Sequence, residues 1–333
     1  MKSVICLTRF GCQGQKKQMN YPDPTLLAAP AFVLLVALEW WAVKTKRAEG
    51  SYETPDAIAS MTMGLGSTVS GALFGFLAYS AALWVFENLR LFEIEVTALS
   101  IAALFILNDF FYYWKHRFMH RVRWWWANHV IHHSSEHYNL STALRQPWSG
   151  PITGLFIVGL PQVILGFHPA LVAFVGGVNL VYQFWIHTEA IDRLPGPIEY
   201  IFNTPSHHRV HHGRNARYLD ANYAGILIIW DRMFGTFVAE LDRDKPDYGL
   251  VAPLKSYNPL WIATHEYWAL LKDCANDGWR IWRWPRRLIN PPGWSPDGDH
   301  QTSDVFKRAF LEQHPEEAGT EGFAATKTTE VTA

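Results

Sequence analysis

Histidine is concentrated in one stretch of this chain. Twelve of the fifteen histidines fall between residues 116 and 212, and eight of those form three tight clusters. The clusters follow the spacings HxxxH, HxxHH and HxxHH, and their members are His116, His120, His129, His132, His133, His208, His211 and His212. Residues three or four apart share one face of a helix, so each cluster can aim two or three imidazoles at one point. Eight converging imidazoles are more than one metal ion can use, and the pattern therefore predicts a two-metal site.

Chance packing and haem ligation both account poorly for the clusters. Buried imidazoles without partners would each cost about 1–3 kcal/mol, which disfavours chance packing of eight of them. A haem protein needs only one or two axial ligands and gives no reason for the repeated HxxHH spacing. The scattered histidines His168, His265, His300 and His314 do fit ordinary hydrogen-bonded side chains.

The overall composition limits the class of protein. A net charge of −1 argues against a nucleic-acid partner, and sixteen tryptophans are a heavy aromatic load. The mean hydropathy is close to zero, which suits a chain that is part membrane anchor and part cytosolic cap. The three cysteines, Cys6, Cys12 and Cys274, form no CxxC pair and predict no disulfide framework.

Five apolar segments predict membrane helices, at 25–43, 61–86, 96–114, 152–167 and 169–186. The first three are each long enough to cross about 30 Å of hydrocarbon. The last two cross and return or form a re-entrant hairpin. Glu39 lies near one end of the first segment, where we expect it to reach the membrane interface.

Basic residues set the predicted orientation. Lys44, Lys46 and Arg47 follow the first apolar segment and mark its cytoplasmic end. Counting crossings from there places all three histidine clusters on the cytoplasmic side. The predicted fold is an all-α integral membrane helical bundle of four to five membrane segments, with a cytosolic histidine-rich helical cap that holds a di-metal site.

The composition changes several times along the chain. We interpret 1–18 as a polar leader before an alternative start at Met19, 19–115 as N-terminal transmembrane helices, and 105–240 as the catalytic domain. Residues 241–295 are rich in Trp and Arg, which is typical of helices at a membrane interface, although an ordinary packed cap is equally compatible. Residues 296–333 have few bulky apolar residues and predict a disordered tail.

Asp109 is the first candidate catalytic carboxylate. It lies inside the third apolar segment, where a charge is costly and commonly functional. Asp109, Tyr113, His116 and His120 are spaced four, three and four apart and share one helical stripe. Asp109 is therefore expected to accept a hydrogen bond from a metal-binding histidine. The alternative is a helix-end carboxylate paired with Lys or Arg.

Glu136 is the second candidate carboxylate. It follows His133 by three residues and is the best-placed carboxylate near the second cluster. The alternative is a helix-surface residue or a capping partner of Ser134 or Ser135.

The residue types available as metal ligands limit the kinds of reaction that the site could catalyse. No set of cysteines accompanies the clusters, which excludes iron–sulfur centres, and imidazole ligands suit Fe, Zn, Cu or Ni. Hydrolytic zinc sites of the HExxH kind place a Glu after the first histidine, whereas Arg117 and Arg209 stand there in this chain. Breaking an unactivated C–H bond needs a high-valent oxidant, which iron with O2 supplies and zinc does not. A histidine-only site beside a membrane therefore favours a lipid oxygenase. A zinc-dependent membrane hydrolase and a non-catalytic metal- or haem-binding membrane protein remain the alternatives.

The order HxxxH, HxxHH, HxxHH on a multi-span chain resembles the fatty acid hydroxylase / sterol desaturase superfamily. The flanking text is similar to the alkylglycerol monooxygenase branch. The matching stretches are 132–136 (HHSSE), 139–146 (NLSTALRQ), 182–189 (YQFWIHTE), 203–215 (NTPSHHRVHHGRN), 222–225 (NYAG) and 229–237 (IWDRMFGTF).

The resemblance implies a set of iron ligands. They are the eight cluster histidines, with His187 as a further ligand because family members carry a histidine before the last cluster. Some hydroxylases have two histidines four apart in that segment, and Gln183 stands at the first place here. His207 is expected to substitute as a ligand or to support one. Asn139, which opens the second matching stretch, joins Asp109 and Glu136 as a candidate catalytic residue.

The resemblance also implies the cofactors and partners. They are two iron ions, O2, a lipid substrate from the bilayer, and an external electron donor. The donor is a soluble reductant such as tetrahydrobiopterin or a separate ferredoxin or cytochrome b5-type protein. The expected reaction is hydroxylation of an aliphatic lipid C–H, with cleavage of alkylglycerol-type ether lipids as one form of it. Desaturation or hydroxylation of a sterol, fatty-acyl or carotenoid substrate is the alternative within the family.

Overall fold

The computed structural model describes residues 21–320, and the predicted polar leader at 1–18 lies outside them. The described residues are helical, with no β-strand and two isolated bridges. The α-helices are α1 Pro24–Lys44, α2 Thr54–Leu89, α3 Ala98–Arg121, α4 Arg123–His133, α5 Leu160–Leu165, α6 Pro169–Trp185, α7 Gly196–Ile201, α8 Pro205–His212, α9 Ile229–Phe234, α10 Pro259–Asn276, α11 Trp284–Ile289 and α12 Ser303–Gln313. Short 3-10 turns occur at Thr142–Leu144, Gly150–Ile152, Leu155–Gly159, Ile281–Arg283 and Pro315–Glu317.

Helices α1 and α2 have the length and hydropathy of membrane spans. Among residues 21–320 they are the two helices that meet both criteria, and most of their apolar side chains are exposed. α1 begins at a cap in which the Asp23 carboxylate accepts the backbone N–H of Thr25, with Pro24 at the first helical position. These exposed apolar surfaces support membrane association. The predicted count of four to five membrane segments stays a prediction.

The two predicted apolar stretches at 152–167 and 169–186 differ in secondary structure. Residues 155–165 form a 3-10 turn followed by α5, and α6 covers Pro169–Trp185. Both apolar stretches are shorter than α1 and α2. Gly166 has a positive φ of 119° and ends α5, and a Cβ there would lie 2.2 Å from the carbonyl oxygen of Phe92. The break between the two stretches therefore depends on a glycine.

The junction between α3 and α4 positions the first two histidine clusters. α3 starts at a capping box in which Thr97 and Ser100 satisfy each other's backbone N–H groups. Val122 is the single residue between the two helices, and its extended backbone ends α3 and starts α4. With one residue between them, the C-terminal turn of α3 and the whole of α4 lie beside each other.

Apolar layers hold these helices against α6 and α10. Leu104 of α3 packs with Phe167, Leu171 and Val175 of the α6 region. Val130 and Ile131 of α4 form a second cluster with residues of α2 and α10. Phe32 of α1 stacks on Phe184 of α6 with ring centroids 4.0 Å apart. The histidine-bearing helices are therefore fixed on several sides by buried apolar contacts.

The predicted disordered tail is wrong for residues 296–320. α12 lies within this stretch, and Asp304 pairs with Arg121 at 2.6 Å. Glu317 forms ion pairs with the buried Arg217 and with Arg243. Low apolar content misled the prediction because ion pairs with residues far away in the sequence help to anchor this segment, and local composition does not reveal them. The rest of the predicted tail lies outside the described residues.

Glu39 is buried, contrary to the expectation that it reaches the interface. Only 7% of its surface is exposed, although it lies on the apolar helix α1. Its carboxylate accepts hydrogen bonds from the Tyr52 hydroxyl, the Thr188 hydroxyl and the backbone N–H of Leu140, the last at 2.8 Å. Glu39 thus joins α1 to the loop that follows α4 and to the residue after His187.

Replacing Glu39 with Ala is expected to destabilise the protein. Three donors would lose their acceptor, and each buried donor left unpaired costs about 1–3 kcal/mol. Thermal unfolding in detergent should show a midpoint several degrees lower, with a smaller loss for Glu39→Gln. Glu49→Ala, at an exposed carboxylate just after α1, is the control. Equal midpoints for Glu39→Ala and the control would contradict this account.

Candidate metal centre

Nine histidines meet in the interior of the protein. They come from α3, α4, α8 and the turn after α6, and all nine are buried. The ligand nitrogens fall into two groups, and within each group they lie within 4.8 Å of one another. The first group is His116, His120, His129, His133 and His211, and the second group is His132, His187, His208 and His212.

The two groups are neighbours. The rings of His133 and His212 stack with centroids 4.4 Å apart, although they belong to different groups. His132 of the second group lies 4.6 Å from His212 and 5.4 Å from His129 of the first group. The HxxHH spacing explains the division, because each such cluster on α4 and α8 sends histidines to both groups.

The nitrogen spacing within each group fits shared coordination. The Nε2 atom of His129 lies 2.8 Å from that of His116 and 3.2 Å from that of His133. In the second group, the Nε2 atom of His187 lies 3.1 Å from that of His132 and 3.0 Å from that of His208. Two nitrogens that each lie about 2.1 Å from one ion at a right angle are about 3.0 Å apart. Each group therefore has the spacing of ligands around a single ion.

Backbone carbonyls orient several of the rings. The Nδ1 atoms of His116 and His211 lie 2.8 Å from the carbonyl oxygens of Tyr223 and Ala221. The Nδ1 atom of His187 lies 2.7 Å from the carbonyl oxygen of Gln183. A carbonyl can only accept, so each Nδ1 carries the proton and each Nε2 presents its lone pair to the centre.

Other ring nitrogens in the centre have no partner among residues 21–320. The Nε2 atoms of His120, His211 and His212 and the Nδ1 atom of His208 are buried without a hydrogen bond. A buried polar atom left unpaired costs about 1–3 kcal/mol, so this many in one place needs a compensating ligand. The donor set is all nitrogen and neutral, which suits Fe, Zn, Cu or Ni. The residues present fit two transition-metal ions.

Burial keeps these imidazoles neutral. Desolvation, followed by the repulsion of neighbouring imidazoles, holds the pKa of each of His129, His133, His208 and His212 well below its usual value. Burial lowers the pKa of His187 to about 3. A neutral imidazole is the form that binds a metal ion, so the fold favours the ligand state at neutral pH.

Arg145 supports the second group from the matching stretch 139–146. Its carbonyl oxygen lies 3.3 Å from Nδ1 of His132. Its guanidinium donates to the Ser134 hydroxyl at 3.0 Å and pairs with Asp56 of α2 at 2.5 Å, with 1% and 3% of these two charged side chains exposed. Removing one partner of such a buried pair commonly costs about 3–5 kcal/mol. This pair fixes the chain that follows α4 onto α2.

Asp220 supports the first group. Its carboxylate lies 3.3 Å from Nδ1 of His120 and accepts from Arg121 at 3.0 Å. Arg121 also pairs with Asp304 of α12, so the C-terminal helix is joined to a ligand through two ion pairs. Asp220 has a positive φ of 51°, a conformation that Asp and Asn tolerate better than most residues.

Asp109 does not contact a metal-binding histidine, which corrects the sequence-based expectation. Its carboxylate accepts from the backbone N–H groups of Ile226 and Leu227, from Trp230 Nε1 and from Asn179 Nδ2, at 2.8–3.0 Å. None of these four partners is Lys or Arg, so the alternative that Asp109 pairs with a basic residue is not supported either. Asp109 instead joins α3 to α6 and to the turn before α9.

The other two candidate catalytic residues also lie away from the centre. Glu136 is exposed, whereas every histidine of both groups is buried. Asn139 donates to the carbonyl oxygen of Ser51 at 2.9 Å and accepts from the backbone N–H of Ser141 at 3.1 Å. Asn139 therefore shapes the turn before Arg145, and neither residue is positioned for acid–base work.

His207 belongs to neither ligand group. Its Nε2 atom pairs with Glu199 at 3.0 Å, and Glu199 also accepts from the Ser206 hydroxyl at 2.6 Å. His207 points the other way because it precedes His208 by one residue, about 100° around α8. His207 therefore does not supply the ligand that is missing at the place of Gln183.

Sequence reasoning missed several residues that support the centre. Asp220 and the carbonyls of Ala221, Tyr223 and Gln183 orient ligands, yet carbonyls have no sequence signature. Asp220 lies two residues before the matching stretch 222–225, which also carries Asn222 at a positive φ of 55°. An acidic residue beside that stretch was the available indication.

Comparisons with known proteins agree with the geometry. A family model described as fatty acid hydroxylase matches residues 101–236. The chain is 40% identical over 285 residues to the alkylglycerol monooxygenase of Homo sapiens, which covers 83% of this chain and 61% of that protein. The corresponding figures for Danio rerio are 40% over 286 residues, with 84% and 61% covered. The ornithine lipid hydroxylase OlsE of Rhizobium tropici is 27% identical over 140 residues, 42% of each chain.

These comparisons confirm the resemblance predicted from the motifs. The chain spans about three fifths of the length of the alkylglycerol monooxygenases it matches. No solved structure is significantly similar to it.

The two groups predict how metal content responds to single substitutions. His133→Ala and His212→Ala each remove a ligand and should lower the metal bound per chain, measured by inductively coupled plasma mass spectrometry. His207→Ala should bind as much metal as the unmodified protein, because its ring pairs with Glu199. Loss of metal in His207→Ala with retention in His212→Ala would reverse the assignment.

Proposed function

We propose that the chain is a membrane-bound monooxygenase that inserts oxygen from O2 into an aliphatic C–H bond of a lipid, as the match of the fatty acid hydroxylase model to residues 101–236 supports. One observation carries the proposal: two adjacent, buried, all-imidazole groups with nitrogen spacings that suit one ion each. Among the described residues, no cysteine and no carboxylate belongs to either group. This donor set matches the implied di-iron centre better than it matches a hydrolytic zinc site.

We propose that both ions are iron. His116, His120, His129, His133 and His211 would hold one ion, and His132, His187, His208 and His212 the other. Iron supplies the activation of O2 that breaking an unactivated C–H bond requires. Zinc has no accessible redox change and cannot supply it.

The protein's own residues keep this centre dry and neutral. Tyr138 and Tyr223 are buried beside the histidine rings, with centroids 5.1 Å from His212 and 5.2 Å from His120. Arg209 on α8 pairs with Glu240 at 2.8 Å and donates to the carbonyl oxygen of Thr188 at 3.1 Å. This arrangement fixes the turn that carries His187 against α8. Bulk water is thereby kept from a site where it would divert a strong oxidant.

The reaction needs electrons from outside the chain. Hydroxylation consumes one lipid C–H, O2, two electrons and two protons, and yields an alcohol and water. We propose that a soluble reductant such as tetrahydrobiopterin, or a ferredoxin or cytochrome b5-type protein, supplies the electrons. We also propose that the centre faces the cytoplasm, because the basic residues around the clusters favour that side.

The substrate class is proposed from relatives that are 40% identical to this chain. Because alkylglycerol monooxygenases match over most of this chain, we propose an ether lipid whose carbon beside the ether oxygen is hydroxylated. The resulting hemiacetal would collapse to an aldehyde and a glycerol lipid. More distant relatives are named for sterol and ornithine lipid hydroxylation, so these lipids serve as comparison substrates.

Lipid mass spectrometry under isotopically labelled O2 tests the proposal. Membranes from a host that expresses the chain should form a labelled alcohol or aldehyde from alkylglycerol lipids when each donor is supplied in turn. His132→Ala should abolish the labelled product, since His132 is a ligand of the second group. His265→Ala is the matched control, because that ring lies outside both groups beside the carbonyl of Ile262.

Two results would contradict the proposal. A product that forms equally in His132→Ala would show that the centre is not involved. Stoichiometric zinc in anaerobically purified protein, with turnover that does not need O2, would support a hydrolase instead.

A further inference from the structure

A large cavity reaches α3 within one helical turn of His116. Its volume is about 1020 Å³, and it is bounded by the start of α1, by α2, α3 and α6, and by the segment around α5. Much of its wall is apolar, and the lining includes Phe111, Leu155, Phe156, Val172, Phe174 and Leu180. A cavity of this size and lining is at the upper end of what ligand sites offer, and it can hold a long aliphatic chain.

One residue belongs to both the cavity wall and the surroundings of the metal centre. Tyr112 on α3 lines the cavity, and its ring contacts His116 with centroids 5.6 Å apart. It precedes His116 by four residues, so both side chains lie on one face of α3. Tyr112 therefore stands where the cavity approaches the first ligand group.

Contacts with Gln183, Gly225 and Lys115 fix the orientation of the Tyr112 ring. Its hydroxyl donates to Oε1 of Gln183 at 2.8 Å. A Cβ at Gly225 would lie 2.9 Å from the Tyr112 ring, so the backbone there packs directly on the ring. The ammonium of Lys115, which also lines the cavity, lies 4.7 Å from the ring centroid. Three different segments thus hold one side chain in a fixed orientation.

Gln183 continues a buried chain of hydrogen bonds. Its Nε2 atom donates to Oδ1 of Asn179 at 2.6 Å, and Nδ2 of Asn179 donates to Asp109 at 2.8 Å. Asp109 in turn accepts from the turn before α9. The family resemblance implies that some hydroxylases carry a ligand histidine at the position of Gln183. In this chain the side-chain amide of Gln183 instead accepts a hydrogen bond from Tyr112.

We propose that this cavity holds the aliphatic chain of the substrate lipid and that Tyr112 closes its inner end, thereby setting which carbon faces the metal centre. The proposal rests on the proposed monooxygenase function and adds to it the location of the substrate and a specificity-determining residue. Asp109, Asn179 and Gln183 act through Tyr112 and are positioning residues.

Gly176 offers a way to block the cavity. It lines the cavity on α6, and a Cβ there would meet nothing closer than Asn108 at 3.8 Å. In Gly176→Leu the new side chain should therefore occupy the cavity without a clash. Gly75→Leu is the matched control, because Gly75 lies on α2, does not line the cavity and has no atom within 4 Å of a built Cβ.

Lipid binding and metal content are measured on these two variants independently of turnover. Purified protein in nanodiscs is titrated with radiolabelled hexadecyl glycerol ether. We expect Gly176→Leu to weaken binding about tenfold or more, with metal content unchanged, and Gly75→Leu to bind as the unmodified protein does. Equal affinity in both variants would overturn the cavity assignment, whether or not the protein turns over.

The role of Tyr112 is tested by the position of oxygen in the product. Tyr112→Ala should move or broaden the position of labelled oxygen along the lipid chain, and Tyr112→Phe should keep the original position at a reduced rate. Tyr79→Ala enlarges the same cavity on α2, away from the metal centre, and should raise KM without moving the oxygen. A reduced rate with an unchanged product position in Tyr112→Ala would overturn this role.

Failure of the two proposals can be told apart. If the unmodified protein binds the ether lipid but forms no labelled product with any donor, the proposed reaction fails while the cavity assignment stands on the Gly176 comparison. If labelled product forms but Gly176→Leu neither weakens binding nor slows turnover, the reaction stands and the cavity assignment fails.

Discussion

The structure depends on the convergence of nine imidazoles in the protein interior. All nine are buried, and one ring nitrogen of each of His120, His208, His211 and His212 has no hydrogen-bond partner in the described residues. Without a ligand this arrangement costs free energy at several positions at once, and the surrounding apolar packing does not offset a lost hydrogen bond. In the proposed enzyme the metal ions would therefore be part of the folded core, and they would couple the helices that carry the two histidine groups.

Two sets of contacts determine where those imidazoles point. On one side, the segment 220–223 supplies the Asp220 carboxylate and two carbonyls that orient ligands of α3 and α8. On the other side, Arg145 and Gln183 orient the ligands of the second group through their carbonyls. The first set is anchored by the buried carboxylate of Asp231, which accepts from the backbone N–H groups of Tyr223 and Ala224. The second set is anchored by the buried carboxylate of Asp56, which pairs with Arg145. Buried carboxylates therefore hold both segments in place.

The sequence predicted the ligands more reliably than their surroundings. Spacing alone identified the eight cluster histidines, because HxxxH and HxxHH have one geometric meaning on a helix, and the family resemblance added His187. The same periodicity misplaced Asp109: a shared helical stripe shows that side chains can reach a common region, but Asp109 lies nearly two turns from His116 and finds backbone N–H groups first. His207, Glu136 and Asn139 were predicted as site residues because they lie close in sequence to the histidine clusters. His207 is offset by one residue from His208 on α8, so its side chain points away from the centre. Glu136 and Asn139 lie in the turn region after α4, which directs their side chains away from it.

Local sequence patterns predicted the apolar helices but not the contacts between distant segments. Apolar length predicted α1 and α2, whereas the tail from residue 296 was misjudged because its anchor is a set of ion pairs with Arg121, Arg217 and Arg243 that local composition does not reveal. Glu39 was also misjudged: it lies on an apolar helix, and its buried carboxylate accepts hydrogen bonds from within the protein. Its partner Thr188 follows His187 directly, so the apolar helix α1 and the second ligand group share one buried carboxylate. The packing of α1 and the geometry of the second ligand group are thereby coupled through Glu39.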